Sequence, residues 1–410
     1  MRARALELLR TALANPSAEF RPGQWECIDG IMRSQRQLVV QKTGWGKSMV
    51  YFLGTRLLRD QGKGPTLLVS PLLSLMRNQI LAASRIGIIA ETINCSNKDD
   101  WQAIEARLLA NKVDILLISP ERLANDDFRD RILQQVANRV GLFVVDEAHC
   151  ISDWGHDFRP DYRRIVRVLQ ALPKNIPVLA TTATANNRVI ADVAAQLGSI
   201  TVVRGPLIRE SLSLQNIWLP SPAARMAWLA EHLKNLPGSG IIYTLTIRDA
   251  ERVTEWLKRN GYKVEAYHSQ VDANDQDNGE KERLRREELE VRLLNNEVKA
   301  LVATVALGMG FDKPDLGFVI HFQRPGSVVH YYQQVGRAGR AVDSAHGILL
   351  SGEEDQEITD YFIRSAFPPQ AHVDKILNAL NKAANGLSVP MMQRQLNLSK
   401  GEIDKCLKLL

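Results

Sequence analysis

Cysteine is scarce in this chain. There are four in 410 residues, Cys27, Cys95, Cys150 and Cys406, and no two stand in a Cys-x-x-Cys spacing. That usage argues against a disulfide framework and against a cysteine-built zinc site, and it suits a reducing cytoplasm. Long apolar runs are missing too: no stretch approaches membrane-span length, so no membrane partner is expected. The opening M-R-A-R-A-L-E-L-L-R lacks the continuous apolar core of a signal peptide. Neither sign of charge dominates. Lys plus Arg number 52 and Asp plus Glu 46, a net charge of +6, which permits nucleic-acid binding without establishing it. Aromatics are only 6% of the chain, so a place where they cluster stands out.

What is present describes a globular protein, 45% hydrophobic and 24% charged, and its length calls for two or three domains. Short apolar runs alternate with helical patterns. Strands are expected at Leu38–Val40, Thr66–Val69, Asp114–Ile118, Leu142–Val145 and Val178–Ala180, which implies a parallel sheet covered on both faces. The alternation pauses at Gly205-Pro206 and Pro220-Ser221-Pro222. It resumes with Gly240–Tyr243, Val264–Tyr267, Leu301–Thr304, Phe318–His321 and Gly347–Leu350. The reading is α/β throughout: a first unit over 1–205 with an N-terminal helix, a linker over 206–222, a second unit over 223–352 and a helical segment over 353–410. The charged stretch 272–296 reads as a solvated helix. Two short helical patterns joined around Asn397–Gly401 resemble a helix-turn-helix. They begin either a winged-helix duplex binder or a helical cap, and they stop inside an apolar helix, as a fragment of a longer chain would.

Three stretches carry chemistry. After Leu38-Val39-Val40 comes Q-K-T-G-W-G-K-S. Gly44 and Gly46 let backbone N–H groups turn inward onto phosphate oxygens at a helix N-terminus. Lys47 supplies charge for the outer phosphates and Ser48 a hydroxyl for magnesium. The usual pattern has a glycine where this chain has Gln41. The second stretch, L-F-V-V-D-E-A-H at 142–149, ends a strand in adjacent carboxylates. Asp146 suits magnesium and Glu147 suits orienting and deprotonating an attacking water. The loop that follows interleaves Trp154, His156, Phe158 and Arg159, a composition suited to base stacking, or to packing a core. The third, Q-Q-V-G-R-A-G-R at 333–340, offers Arg337 and Arg340 from the second unit, to stabilise charge across a cleft.

Taken together these segments resemble the superfamily 2 helicases, and among them the RecQ-like DNA helicases, over about residues 17–350. The matching segments are F-R-P-G-Q at 20–24, S-P-L-L-S-L-M-R-N-Q at 70–79, S-P-E-R-L at 119–123, D-E-A-H at 146–149, C-I-S-D-W-G-H-D-F-R-P-D-Y at 150–162, T-A-T-A at 182–185, A-T-V-A-L-G-M-G-F-D-K-P at 303–314 and Y-Y-Q-Q-V-G-R-A-G-R at 331–340. The resemblance implies two RecA-like motor domains binding ATP and magnesium. It implies 3′-to-5′ movement on single-stranded DNA and at duplex junctions, as a monomer, in repair or recombination. By the same resemblance Gln24 reads adenine with Arg21 beside it, and Thr43, Trp45, Gly310 and Asp312 join the nucleotide site. Gln333 joins the catalytic set. Ser70, Arg77, Arg122, His149 and Thr304, with the aromatic loop, hold DNA or couple it to hydrolysis. Ser17 stands where the family carries an adenine-stacking aromatic, Y-H-S-Q at 267–270 replaces Y-H-A-G, and the family's cysteine-rich zinc module is absent, so no zinc is expected. An RNA helicase, or an ATP-gated clamp that does not unwind, are the alternatives.

Overall fold

The computed structural model describes residues 1–70, 77–93, 100–120, 128, 133–152, 165–206, 208–268, 278–308, 311–358, 360, 368–383 and 386–407. The first unit is built on seven strands: β1 (Arg36–Val40), β2 (Thr66–Val69), β3 (Ala90–Ile93), β4 (Ile115–Ile118), β5 (Leu142–Val145), β6 (Val178–Thr182) and β7 (Thr201–Arg204). All pairs are parallel, in the order β3-β4-β2-β5-β6-β1-β7. The central strands are continuous apolar runs because helices bury both their faces. One face packs under Phe128, Val136 and Val193, the other under the helices Arg2–Ala12, Gln24–Met32 and Lys47–Asp60. A parallel sheet puts every strand's C-terminal end on one edge. β1 and β5 therefore deliver the glycine-rich loop and the Asp-Glu pair to the same edge, separated only by β6.

The second unit has six strands: β8 (Leu212–Trp218), β9 (Gly240–Tyr243), β10 (Val264–Tyr267), β11 (Ala300–Ala303), β12 (Phe318–His321) and β13 (Ala345–Ser351). They are again all parallel, in the order β10-β11-β9-β12-β13-β8. Here the stretch expected as a linker is corrected: 206–222 contains β8, which pairs with β13 along seven residues, Leu212 to Trp218. Its outward side chains, Leu214 and Trp218 among them, are exposed, so it lacks the apolar pattern of a central strand. The edge strands β3 and β7 were missed for the same reason. The charged helix Asn278–Leu294 is not wholly solvated either: Leu289 and Leu293 are buried in the second core, and Tyr267 donates a 2.6 Å hydrogen bond to Glu290.

The second unit also reaches past residue 352. Arg225, fully buried, donates to the Phe322 carbonyl at 2.9 Å and pairs with Asp355 at 3.1 Å. Beyond it, helices Gln370–Lys382, Val389–Leu396 and Lys400–Leu407 enclose a small core of Ile376, Met392, Leu398, Ile403 and Cys406. Asn397, left-handed at φ 50°, turns the last two helices against each other, the helix-turn-helix expected from the sequence. Among the described residues no helix is long and apolar enough to cross a membrane.

Candidate active site

The loop after β1 turns where only glycine is unstrained: Gly44 has φ +80° and Gly46 φ +94°. Gly46 caps the helix Lys47–Asp60, so its N-terminal N–H groups and dipole face the cavity. Lys47 Nζ donates to the Gln41 carbonyl at 3.0 Å. Burial lowers the Lys47 pKa, opposed by Glu147 and Asp146 and reinforced by Arg340 and Arg209. Ser48 lies beside it, hydrogen-bonded to Tyr51.

Opposite, Asp146 Oδ1 accepts from Thr181 Oγ1 at 2.5 Å and from the Glu147 N–H at 3.0 Å. Burial, then the adjacent Glu147, raises the Asp146 pKa to about 6. Glu147 itself is left-handed at φ 50°, ψ 47°, a conformation that costs a non-glycine residue roughly 1–2 kcal/mol and marks functional positions. Its Oε2 lies 3.2 Å from His149 Nδ1, which is also 3.0 Å from Thr182 Oγ1, and Thr182 Oγ1 donates to the Thr184 carbonyl at 3.2 Å. The D-E-A-H and T-A-T-A segments are thus one hydrogen-bonded unit.

The F-R-P-G-Q segment closes one end. Gln24 Oε1 accepts from the Arg21 N–H and Gln24 Nε2 donates to the Trp45 carbonyl, both at 2.8 Å. The Trp45 indole donates to the Pro22 carbonyl at 3.1 Å, and the Arg21 guanidinium donates to the Gly44 carbonyl. Three of these bonds fasten the segment to the glycine-rich loop, and the fourth, between Arg21 and Gln24, braces the segment itself. From the second unit, Arg340 lies across that loop: a side chain at Gly44 would put its Cβ 3.2 Å from Arg340 Cδ. Arg340 pairs with Asp312 at 2.5 Å, and burial lowers its pKa.

These groups line one cavity of about 460 Å³, walled by Arg21, Gln24, Thr43–Ser48, Asp146, Glu147, Asp312 and Arg340, with Leu9, Leu13, Tyr51, Phe311 and others completing the wall. The volume suits a nucleotide-sized ligand. Its donor set suits magnesium: one hydroxyl and adjacent carboxylates at the foot of a cationic phosphate cradle, where a hard cation takes one or two protein oxygens and completes its shell with phosphate and water.

Several expectations are corrected by burial. Ser70, expected on the DNA, is 2% exposed and lines the nucleotide cavity. His149 is fully buried against Glu147 and Thr182, which excludes DNA contact and leaves coupling. Arg337 is 5% exposed and donates to the Phe311 carbonyl at 3.0 Å inside the second unit, so Arg340 alone of the pair reaches the cavity. Gln333, on the helix Val328–Val335, does not line the cavity. Thr304 follows β11, and its Oγ1 accepts from the Ala306 N–H at 3.3 Å. Arg122, Trp154, His156, Phe158, Arg159 and Gly310 lie outside the described residues, as does the side chain of Arg77. Sequence reasoning missed Thr181, one residue before the T-A-T-A segment, and Arg209, inside the supposed linker.

Residues 21–193 match the DEAD/DEAH box helicase family and residues 224–342 the helicase conserved C-terminal domain. The chain is 36% identical over 355 residues to the ATP-dependent DNA helicase RecQ of Bacillus subtilis, covering 85% of this chain and 56% of that protein. It is 34% identical over 351 residues to the RecQ helicase of Haemophilus influenzae, covering 84% and 53%. With the putative ATP-dependent DNA helicase Q1 of Caenorhabditis briggsae the identity is 35%, covering 78% and 51%. The chain thus spans about half the length of these curated relatives. Among solved structures, the DUF1998 helicase MrfA bound to DNA superposes with a TM-score of 0.70 at 18% identity, over 87% of this chain and 50% of that one. The Mycobacterium smegmatis helicase Lhr bound to ssDNA and AMP-PNP gives 0.64 at 21%, over 98% and 55%. At these identities the likeness is one of fold.

Proposed function

The chain belongs to the RecQ-like helicases of superfamily 2, and from that membership and the geometry of its cavity we infer that it is an ATP-dependent DNA helicase, moving 3′ to 5′ on single-stranded DNA. The observation that carries this reading is Arg340: a cation from the second unit lies on the phosphate loop of the first, above Lys47, Asp146 and Glu147. A nucleotide seated there would touch both units, so binding and hydrolysis would change how they meet.

The residues have separable roles. Gln24 reads the base. The N–H groups of 44–48 and Lys47 hold the phosphates, Lys47 exchanging the Gln41 carbonyl for phosphate oxygen. Ser48 and Asp146 would hold magnesium, which supplies neutralising charge to the β- and γ-phosphates. Glu147, set by its left-handed backbone, orients water and takes its proton. Arg340, partly desolvated, stabilises the charge that gathers on the γ-phosphate. The Glu147–His149–Thr182 chain supports transmission from the carboxylate pair to the T-A-T-A segment.

Repair or recombination is the setting we propose, in the cytoplasm, with the protein acting as a monomer on single strands and duplex junctions. The test is ATPase stimulation by DNA and RNA strands of matched sequence, together with displacement of duplexes carrying a 3′ tail, a 5′ tail, a fork or blunt ends. DNA-selective stimulation and unwinding from a 3′ tail support the reading. Equal stimulation by RNA favours an RNA helicase, stimulation without displacement favours a clamp, and unwinding only from a 5′ tail reverses the polarity.

A further inference from the structure

The segment joining the two units passes between the phosphate loop and the turn that carries Arg340, and it bonds to both. On the first unit, Lys42 Nζ donates to the Ile208 carbonyl at 3.0 Å, and Arg209 Nη2 donates to the carbonyl of Thr43. On the second, Arg209 Nη1 donates to the carbonyl of Ala338, and Ser211 Oγ donates to the Gly339 carbonyl at 2.6 Å. The packing is close: a side chain at Gly339, which has φ +70°, would put its Cβ 2.8 Å from Ser211 Oγ and 3.4 Å from Arg209 Cδ. One guanidinium therefore holds a carbonyl of each unit, one on either side of the cleft. Burial and then the neighbouring Arg340 lower the Arg209 pKa to about 10, which leaves it charged at neutral pH while marking the crowding of cations there.

We infer that Arg209 is a positioning residue for hydrolysis: its fork fixes the Gly336–Arg340 turn relative to the phosphate loop, and so sets where Arg340 meets the nucleotide. This rests on the reading that the cavity hydrolyses ATP. Geometry requires both nitrogens. The two accepting carbonyls belong to different units, and the planar fork of arginine can serve both at once, whereas the single head of a lysine has no such fixed span. Carbonyl partners also separate this role from charge pairing, because neither partner is a carboxylate. Arg209 does not line the nucleotide cavity, so its positioning effect acts through the turn that carries Arg340.

The test uses the full chain as Arg209→Ala, Arg209→Lys, Arg340→Ala and the Arg209→Ala/Arg340→Ala double variant. We expect Arg209→Ala to bind ATPγS within about threefold of the native protein while kcat at saturating single-stranded DNA falls tenfold or more. Arg209→Lys should fall nearly as far, and the double variant should be no slower than Arg340→Ala alone. Spin labels at Gln61 and Asn260, on the exposed surfaces of the two units, should give a narrow distance distribution with ATPγS in the native protein and a broad one in Arg209→Ala. Full recovery by lysine overturns the proposal, because charge alone would then suffice. So do losses that multiply in the double variant, nucleotide affinity that falls in step with kcat, or an unchanged label distance. A native protein without ATPase activity would defeat the reading of the cavity; the label distances would still decide for or against the bridge.

Discussion

Gln24→Ala separates two tasks that one side chain performs. Gln24 is 4% exposed, and each end of its amide holds a main-chain group at 2.8 Å, the Arg21 N–H and the Trp45 carbonyl. An amide oxygen has a second lone pair and the nitrogen a second hydrogen. That remaining donor–acceptor pair matches N7 and the 6-amino group of adenine, and would meet a mismatched edge on guanine. Alanine removes both internal bonds. At about 1 kcal/mol each, the loss is about 2 kcal/mol, and it falls toward less because the two main-chain groups border an open cavity and regain water. A bidentate base contact is worth about 1–3 kcal/mol of discrimination, or about 5- to 150-fold. Calorimetric titration of ATPγS and GTPγS into native and variant protein measures the ratio of affinities, and a thermal melt measures the structural loss. The ratio should shrink at least fivefold while the melt shifts by a few degrees. If the ratio is unchanged while the melt falls, Gln24 only braces the loop and the base is read elsewhere.

Four further outcomes are expected. Glu147→Gln should bind ATP within a few-fold of native while single-turnover hydrolysis falls about 10²- to 10⁴-fold, since an amide takes no proton; near-native turnover would remove Glu147 as the base. Gly46→Ala should weaken nucleotide binding, because its Cβ would stand 2.7 Å from Gln24 Nε2 and its φ of +94° is strained for alanine; a native ATPγS affinity in titration would contradict this. Trp154→Ala should lower DNA-stimulated ATPase more than DNA affinity, with the melt unchanged; parallel losses would sink the coupling role. His321 is buried and hydrogen-bonded to Gln334 at 2.7 Å, and burial lowers its pKa to about 4 against the usual 6.5. The folded state therefore resists a proton that the unfolded chain accepts. Stability is full above pH 6.5 and is lost as pH falls from 6.5 toward 4, by up to about 3 kcal/mol, so urea midpoints of His321→Gln should fall less steeply with acid than native ones.

Most of the strands that could be read from sequence are buried on both faces, although the edge strand Val264–Tyr267 is only partly buried. Thr66–Val69, Leu142–Val145, Gly240–Tyr243, Val264–Tyr267 and Phe318–His321 were expected at the bounds they occupy. β3, β7 and β8 are edge strands with partly or largely exposed residues, and an edge strand need not be apolar. The phosphate loop and the Asp-Glu pair were legible because phosphate and magnesium demand particular groups at particular strand ends. Arg209 was not, because its partners are the carbonyls of Thr43 and Ala338, and any residues there would present the same carbonyls. Arg337 and Arg340 sit in near-identical local sequence, and only burial against Phe311 tells which one faces the cavity. Ser70 and His149 were drawn to DNA by the segments that contain them, and burial assigns them to the nucleotide cavity and to the Glu147 network.

The same burial explains why a triphosphate would act on the cleft as a switch. Lys47 of the first unit, Arg340 of the second and Arg209 between them are all partly removed from water, and Arg340 depresses the pKa of both other cations. Cations in a low-dielectric cleft repel one another by more than they would in bulk solvent. Asp312 answers Arg340 directly, but Asp146 and Glu147 lie on the first unit and also repel each other, which adds to burial in raising the Asp146 pKa. Repulsion among these cations works against close approach, while Asp312, Asp146 and Glu147 offset it, and a bound polyanion would add to that offset. A ligand shifts a two-state equilibrium only by its differential affinity for the two states. A γ-phosphate touched by Lys47 from one unit and Arg340 from the other has that difference built in, since only the closed arrangement offers both contacts. On the proposed reading, cleaving the γ-phosphate would remove the shared anion and leave the cations facing one another, which would favour reopening. By the inference above, Arg209, bonded to the carbonyls of Thr43 and Ala338, would keep the two units in register while that balance shifts.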